Sequence, residues 1–255
     1  MIRGPAAYCG VQEEGRGEES LLSILPTAEE KPVYVERMFA RIADGYDRMN
    51  AIMTFGLDRG WRARAVRAVA PRPAGRALDL GTGTGDFLPL LVRAMPQGYA
   101  VGADFTVSMM RAGQHKLGSR SAFSAGDALA LPFADASFDA IVTGFTVRNV
   151  ADIGQAFAEM ARVAAPGCRL ACLEVARPRN PLVRIGHRFY FEEIVPQIAR
   201  ALGADPAAYT YLPQSARLFP PPPRLSEIMT TAGWHDVRWE LLGFGAVALH
   251  TAIRR

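Results

Sequence analysis

Apolar positions along the chain recur at two different periods. From Tyr34 to Met53, residues Val35, Met38, Phe39, Ile42, Tyr46, Met49 and Met53 are spaced mostly three and four apart, which predicts helix broken by the turn-like Ala43-Asp44-Gly45. Asp58 is placed to cap a second helix through Trp61 and Val66. Beyond the Pro71-Arg72-Pro73-Ala74-Gly75 break the pattern shortens. Apolar runs at 77–80, 99–103, 140–143 and 170–175 predict strands, and 87–94, 108–116 and 153–163 predict the helices between them. Such alternation builds an α/β domain on a parallel, doubly wound sheet. The C-terminal third differs, with an aromatic-rich helix at 183–202, a rigid proline-rich turn at 219–223 and a helix at 225–232. Two strands follow, 237–242 and 246–253, joined by Gly243-Phe244-Gly245. A tight connection makes them a hairpin, so the last strand should run antiparallel to its neighbours. Residues 1–30 lack periodicity and read as a disordered acidic tail on a domain spanning 31–255.

Composition narrows the class. With 255 residues, 49% hydrophobic and 21% charged, the chain can bury one full core. No apolar run approaches the ~18 to 20 residues that cross a bilayer, and the stretch Leu21 to Leu25 lacks a basic flank and a cleavage site, so a cytoplasmic protein is expected. Cys168 and Cys172 are four apart, one face of a strand, without the partners of a metal site or a disulfide framework. The net charge of +4 hides a split, because residues 1–30 hold Arg3 and Arg16 against six glutamates, leaving +8 on the body. Lys31 and Lys116 are the only lysines among 29 basic residues. A mildly basic, arginine-rich surface of this kind does not by itself call for a nucleic-acid partner.

Chemistry enters at Leu78-Asp79-Leu80-Gly81-Thr82-Gly83-Thr84-Gly85-Asp86, which leaves a predicted strand and enters a predicted helix. Glycines allow close backbone approach to a ligand, and the following helix start offers free N–H donors. Pyrophosphate binders place the third glycine one residue later, so a phosphate-free ligand with an adenosine and a charged amino-acid end suits this loop better. Asp104, 19 residues after Gly85 at the end of the next strand, can accept two ribose hydroxyls. Asp127, in Gly126-Asp127-Ala128 at the end of a third strand, can meet the amine of adenine. Either alone could be a turn former or helix cap; together they mark three strand ends on the ligand-binding edge of an α/β sheet.

With Gly102-Ala103-Asp104, Leu131-Pro132-Phe133, Ser137-Phe138-Asp139 and Arg162-Val163 followed by Pro166-Gly167, the loop resembles the motifs of class I S-adenosylmethionine (SAM)-dependent methyltransferases. The flanks narrow the resemblance. Val35-Glu36-Arg37-Met38-Phe39, Ile42 through Asn50 and Phe55-Gly56-Leu57-Asp58 look like the N-terminal signature of the ubiquinone/menaquinone biosynthesis C-methyltransferases. Phe145-Thr146-Val147-Arg148-Asn149-Val150 resembles that family's Arg-Asn signature, with Thr146 where a glycine is usual and Gly144 where members can have serine. Tyr209-Thr210-Tyr211-Leu212, Ser215, Phe219-Pro220 and Ala248-Leu249-His250 resemble its C-terminal signatures.

The resemblance implies a Rossmann-like, mostly parallel seven-stranded sheet with an antiparallel last strand and N-terminal lid helices. It implies SAM as cofactor, held by Asp79, Gly81, Gly83, Thr84, Gly85, Asp104, Asp127, Ala128 and Gly144, and methylation of a ring carbon of a polyprenylated quinol. Naphthoquinol and benzoquinol both remain open as substrates. A ring carbon becomes nucleophilic when the adjacent hydroxyl, with a pKa near the phenol value of ~10, loses its proton. Arg148 is the candidate for stabilising the phenolate, since a guanidinium keeps its own proton, and Asn149 for orienting the quinol oxygen or a water. The structural alternatives are an Arg148–Asp152 ion pair and an Asn149 helix cap. Tyr46, Tyr190 and Tyr211 are candidates for the ring pocket, and His250 reads as structural. This reaction calls for no metal. Arg177, Arg179, Arg184 and Arg188 beside Phe189, Tyr190 and Phe191 suit a peripheral contact with anionic lipid at the inner membrane face; a homodimer is compatible with this picture. The competing readings are an O- or N-methyltransferase for another small molecule and a non-catalytic SAM-binding scaffold of a quinone-synthesis complex.

Overall fold

The computed structural model describes residues 27, 29–202 and 205–255. The acidic tail, apart from residues 27, 29 and 30, lies outside them. Three helices lead in: α1 (Lys31–Ile42), α2 (Tyr46–Met53) and α3 (Leu57–Val69). A 3-10 turn at Ala43–Gly45 separates the first two, where the sequence places its break. Asp58 corrects one expectation. It lies inside α3 behind Gly56, which supplies a left-handed turn at φ 72°, and it binds the Thr54 hydroxyl and Arg62 rather than capping the main chain.

Then come β1 (Arg76–Leu80), α4 (Leu88–Ala94), β2 (Tyr99–Asp104), α5 (Val107–Ala112), β3 (Ser121–Ala125), β4 (Phe138–Gly144), α6 (Ile153–Val163) and β5 (Ala164–Val175). The remaining elements are α7 (Pro181–Phe189), a π-helical turn at Tyr190–Ile194, α8 (Val195–Ala201), α9 (Pro206–Leu218), α10 (Pro222–Thr231), β6 (His235–Leu242) and β7 (Val247–Ile253). The proline run differs from the rigid turn expected of it. Pro221 is the N-cap and Pro222 the first residue of α10, where a missing N–H costs nothing.

The seven strands are ordered β3-β2-β1-β4-β5-β7-β6. The first five pair in parallel, while β7 runs antiparallel to both β5 and β6, as the hairpin predicts. Strand order reverses between β1 and β4, and an open sheet of this kind has its crevice at the carboxyl ends of such a pair. Alternate residues serve two cores. Leu78, Ile141, Leu170 and Cys172 face α6, α10 and Trp234, whereas Ala77, Val142, Ala171 and Leu173 face α3 and α4. Cys168 and Cys172 share the first core, as their spacing suggests.

A third core caps the carboxyl edge. Met38, Ile42, Met49 and Met53 from α1 and α2 pack against Val195, Ala199, Ala208 and Tyr211 from α8 and α9. The N-terminal lid helices therefore rest on helices inserted between β5 and β6.

Candidate functional site

Register brings the sequence-marked strand ends together. Leu80 pairs with Ala103 on one side and Thr143 on the other, so the loop after β1, Asp104 after Ala103 and Gly144 after Thr143 lie side by side. They open onto a cavity that Gly81, Gly83, Asp104, Asp127, Ala128, Gly144, Asn149 and Tyr46 help to line. Gly81 takes φ 66°, and a Cβ there would lie 2.1 Å from the Thr146 side chain, so only glycine lets the turn close against β4. Thr146 fills that space and donates from Oγ1 to the main-chain oxygens of Gly81 and Gly144 at 3.2 and 3.1 Å.

Asp104 ties the loop to β2. Its Oδ2 accepts the Gly83 N–H at 2.7 Å and its Oδ1 the Thr106 N–H at 2.7 Å. Burial lifts its carboxyl above the ordinary value, opposed by those two N–H groups. Each oxygen keeps a second lone pair for a ligand hydroxyl. Asp127 lies two residues beyond β3 and accepts the Leu129 N–H at 2.9 Å. Among the described residues, Asp104 and Asp127 are the only charged ones in the lining. A phosphate ligand would meet two carboxylates and no cation there, whereas a cationic nucleoside with free hydroxyls matches the donors and acceptors present.

Three candidates sit behind the cavity. Asp79 is buried, accepts the Thr82 hydroxyl at 2.6 Å and has its other oxygen unpartnered among the described residues. Burial pushes its carboxyl to about 7, against the Thr82 hydrogen bond and the Arg62 charge. Gly85, at φ 85°, lies in the loop outside the lining. Thr84 turns away and donates to Asp47 of α2 at 2.5 Å. Lys116 binds Asp47 and Asp86 at 2.5 Å each and Thr84 Oγ1 at 3.0 Å, fastening lid to loop. Burial raises the Asp47 carboxyl, but hydrogen bonds from Lys116 and Thr84 and the charges of Lys116 and Arg62 outweigh it, leaving the group below its usual value.

On the β4 side, Phe145 is held at φ 59°, rare for an aromatic residue, and a 3-10 turn at Val147–Asn149 follows. Arg148 is buried behind the lining, between Thr146 and Asn149 which belong to it, and pairs with Glu174 of β5 at 3.1 Å, not with Asp152. Asp152 caps α6 through the Gln155 N–H at 2.9 Å, so Asn149 is not that cap. Asn149 Nδ2 donates to the Phe145 oxygen at 3.2 Å and leaves Oδ1 unpartnered among the described residues.

Of the tyrosines, Tyr46 lines the cavity edge-on to Phe39, and burial raises its phenol pKa. Tyr211 lies against Tyr34, its hydroxyl buried without a partner among the described residues, and Tyr190 donates to the Ile52 oxygen at 3.2 Å while stacking on Phe55; neither is in the lining. His250 accords with its structural reading: it is buried in β7, with Nε2 3.0 Å from the Pro222 oxygen. Glu174 and Phe145 had no assigned role in the sequence. A glutamate inside the apolar run 170–175 was the available signal for the first.

Comparison with known proteins gives the site its context. The profile of the ubiE/COQ5 methyltransferase family matches residues 27–254. The chain belongs to this family. It is 65% identical over 234 residues to the demethylmenaquinone methyltransferase of Roseiflexus castenholzii, covering 91% of this chain and 98% of the relative. The enzyme of the same name from Deinococcus radiodurans is 42% identical, with 89% and 95% covered. Among solved structures, a SAM-dependent methyltransferase of Thermotoga maritima described as a possible histamine N-methyltransferase superposes with a TM-score of 0.60 at 19% identity, covering 86% of this chain and 99% of that one. A complex of the Haloferax volcanii Trm112 methyltransferase activator with a putative methyltransferase matches at 0.61 and 18% identity, over 84% and 96%. These two show the fold. As a ubiE/COQ5 methyltransferase the protein uses SAM, a sulfonium cation with a ribose diol and no phosphate, in keeping with a lining whose only charges among the described residues are carboxylates.

Proposed function

We propose that this protein methylates the ring carbon of demethylmenaquinol, yielding menaquinol. The observation that carries the substrate assignment is the 65% identity, over nearly the full length of both chains, to a protein named for that reaction. SAM supplies an electrophilic methyl on sulfur; the chain's task is to hold donor and ring in line and to stabilise the ring as a nucleophile.

In this reading Asp104 accepts the ribose hydroxyls, Asp127 the adenine amine, and the main chain of Gly81, Gly83 and Gly85 closes around the amino-acid end. Asp79 lies beneath that end, and Thr84 acts through the lid. Gly144 and Ala128 leave room beside the donor. Arg148, with Nε buried and unpartnered among the described residues, stabilises the phenolate formed when the quinol hydroxyl loses its proton. The open Oδ1 of Asn149 accepts from the second quinol hydroxyl or a bridging water. Tyr46 walls the ring, and Tyr190 and Tyr211 support that wall from the cap. With SAM bound, charge would move from the ring oxygen to the ortho carbon, which would take the methyl as its bond to sulfur breaks and leave a neutral thioether. The hydroxyl proton, and then the ring proton whose loss restores aromaticity, would pass to a water held beside Arg148 and Asn149 and on to solvent.

The prenyl tail stays in a bilayer, so the site must reach a membrane surface. Helix α7 supplies a suitable face, with Leu182, Ile185 and Phe189 exposed at 80, 66 and 60% on one side and no buried residue. Arg184 and Arg188 belong to the same helix. Phe55 extends this apolar face, stacked on Tyr190 at 5.2 Å.

The test is a side-by-side assay with prenyl naphthoquinol and benzoquinol, with products identified by mass and position. Ring methylation of the naphthoquinol is expected; methylation at oxygen, or none, would overturn the assignment. Arg148→Ala should lower kcat by about a hundredfold or more and change SAM affinity by less than about threefold. Equal losses in both would make Arg148 structural.

A further inference from the structure

Glu174 is a fully buried charge with no part in the chemistry above. It lies in β5, opposite Ala248 of β7, with 0% of its surface exposed. Its neighbour Leu173 pairs with Gly144, the last residue of β4, so Glu174 stands where β4 gives way to the turn carrying Phe145 and Arg148. Its oxygens are divided in a particular way. Oε1 accepts the main-chain N–H of Arg148 at 3.3 Å, while Oε2 accepts Nη1 of the same residue at 3.1 Å and the Val175 N–H at 3.0 Å. One carboxylate thus holds Arg148 by both its backbone and its guanidinium.

The guanidinium lies behind the cavity lining, held by Glu174 through Nη1. Nε is buried and unpartnered among the described residues, and the group lies 5.7 Å from the centre of the Phe145 ring. Phe145 and Asn149, on either side of Arg148 in the chain, line the cavity. From the lid, Lys31 donates Nζ to the main-chain oxygens of Arg148 and Val150 at 2.9 and 2.8 Å, bracing the same turn from its other face. Burial and the Arg148 charge lower the Lys31 pKa, against the pull of Glu174. Replacing a buried ion pair by well-packed apolar residues is often neutral or stabilising, so stability alone is a weak reason for a glutamate in an apolar strand.

We propose that Glu174 is a positioning residue for methyl transfer, locking the main chain and guanidinium of Arg148 so that the cation meets the quinol oxygen, while touching neither substrate nor cofactor itself. The proposal rests on the reading that Arg148 stabilises the phenolate.

A double-mutant cycle tests it on the full-length protein, with kcat, quinol KM, SAM affinity and melting temperature measured for Glu174→Gln, Arg148→Ala and the double variant. Glu174→Gln keeps the shape but removes the charge and turns one of the two acceptor oxygens into an amide donor. It should lower kcat about thirtyfold with KM and SAM affinity within about threefold, and should cost less than about threefold further in the Arg148→Ala background. Glu174→Asp, charged but one methylene shorter, should fall between Glu174→Gln and the unaltered enzyme, and it replaces Glu174→Gln in the cycle should that variant not fold. Full kcat in the Glu174 variant, or losses that multiply in the double variant, would overturn the proposal. Full kcat in Arg148→Ala would overturn the Arg148 reading, and this one with it.

Discussion

A buried carboxylate with one oxygen unpartnered among the described residues makes Asp79 costly to the folded state. Its carboxyl rises from 3.8 to about 7 because burial disfavours the charge, an effect that the Asp104 and Asp86 charges reinforce and the Thr82 hydroxyl and Arg62 oppose. A group whose folded pKa lies above its unfolded value binds a proton in the folded state that the unfolded chain has released. Its contribution to stability is therefore complete below pH ~4 and is lost as pH rises toward ~7, with a slope of at most about 1.4 kcal/mol per pH unit for one proton. Asp79→Asn imitates the protonated form. The cofactor-free variant should gain stability over the unaltered protein between about pH 5 and 7.5, measured by urea unfolding at a series of pH values; a difference that stays flat across that range would show Asp79 to be no more protonated in the folded state than in the unfolded one.

At the scale of elements, the two lysines are both fasteners of the lid. Lys31 joins the start of α1 to the turn at Arg148 and Val150, and Lys116 joins α2 to the glycine loop through Asp47, Thr84 and Asp86. Lys116 extends from the short turn after α5, so the segment following β2 controls how firmly the lid sits on the loop. Removing its ammonium takes away the ion-pair partner of Asp47 and leaves Asp86 to Arg62, whose Nη2 is 3.3 Å away. Lys116→Met should raise the KM for SAM about tenfold, or about 1.4 kcal/mol, and leave kcat at saturating SAM within about threefold. An unchanged KM would mean that the apolar contacts of the third core alone seat the lid.

Across the whole molecule, the +8 of the body acquires a direction through α7. A basic helix with a solvated apolar face is suited to lie in a membrane interface, where each large side chain contributes about 1.5 kcal/mol or more on full burial. Joint replacement of Leu182, Ile185 and Phe189 by serine should reduce binding to anionic vesicles about tenfold or more, while activity on a detergent-dispersed short-chain quinol persists. Vesicle flotation checks the first, and undiminished flotation would move the contact to another surface. Among the described residues no helix is long and apolar enough to cross a membrane.

The sequence by itself determined the alternating core, the closing hairpin, the glycine loop with Asp104 and Asp127, and the Arg148-Asn149 pair, because period, turn chemistry and local motif are properties of neighbouring residues. It missed helix α9, where Pro213 argues against a helix interior, and showed only weakly the small, polar edge strand β3. Tertiary structure alone decided partners. Arg148 is closer in sequence to Asp152 but pairs with Glu174, since parallel pairing of β4 and β5 sets residues 144 and 173 side by side. Thr84 turns from the cavity to the lid, and α8 and α9 pack on the N-terminal lid helices, because contacts across about 30 to 170 residues arise only when the sheet brings its carboxyl ends together.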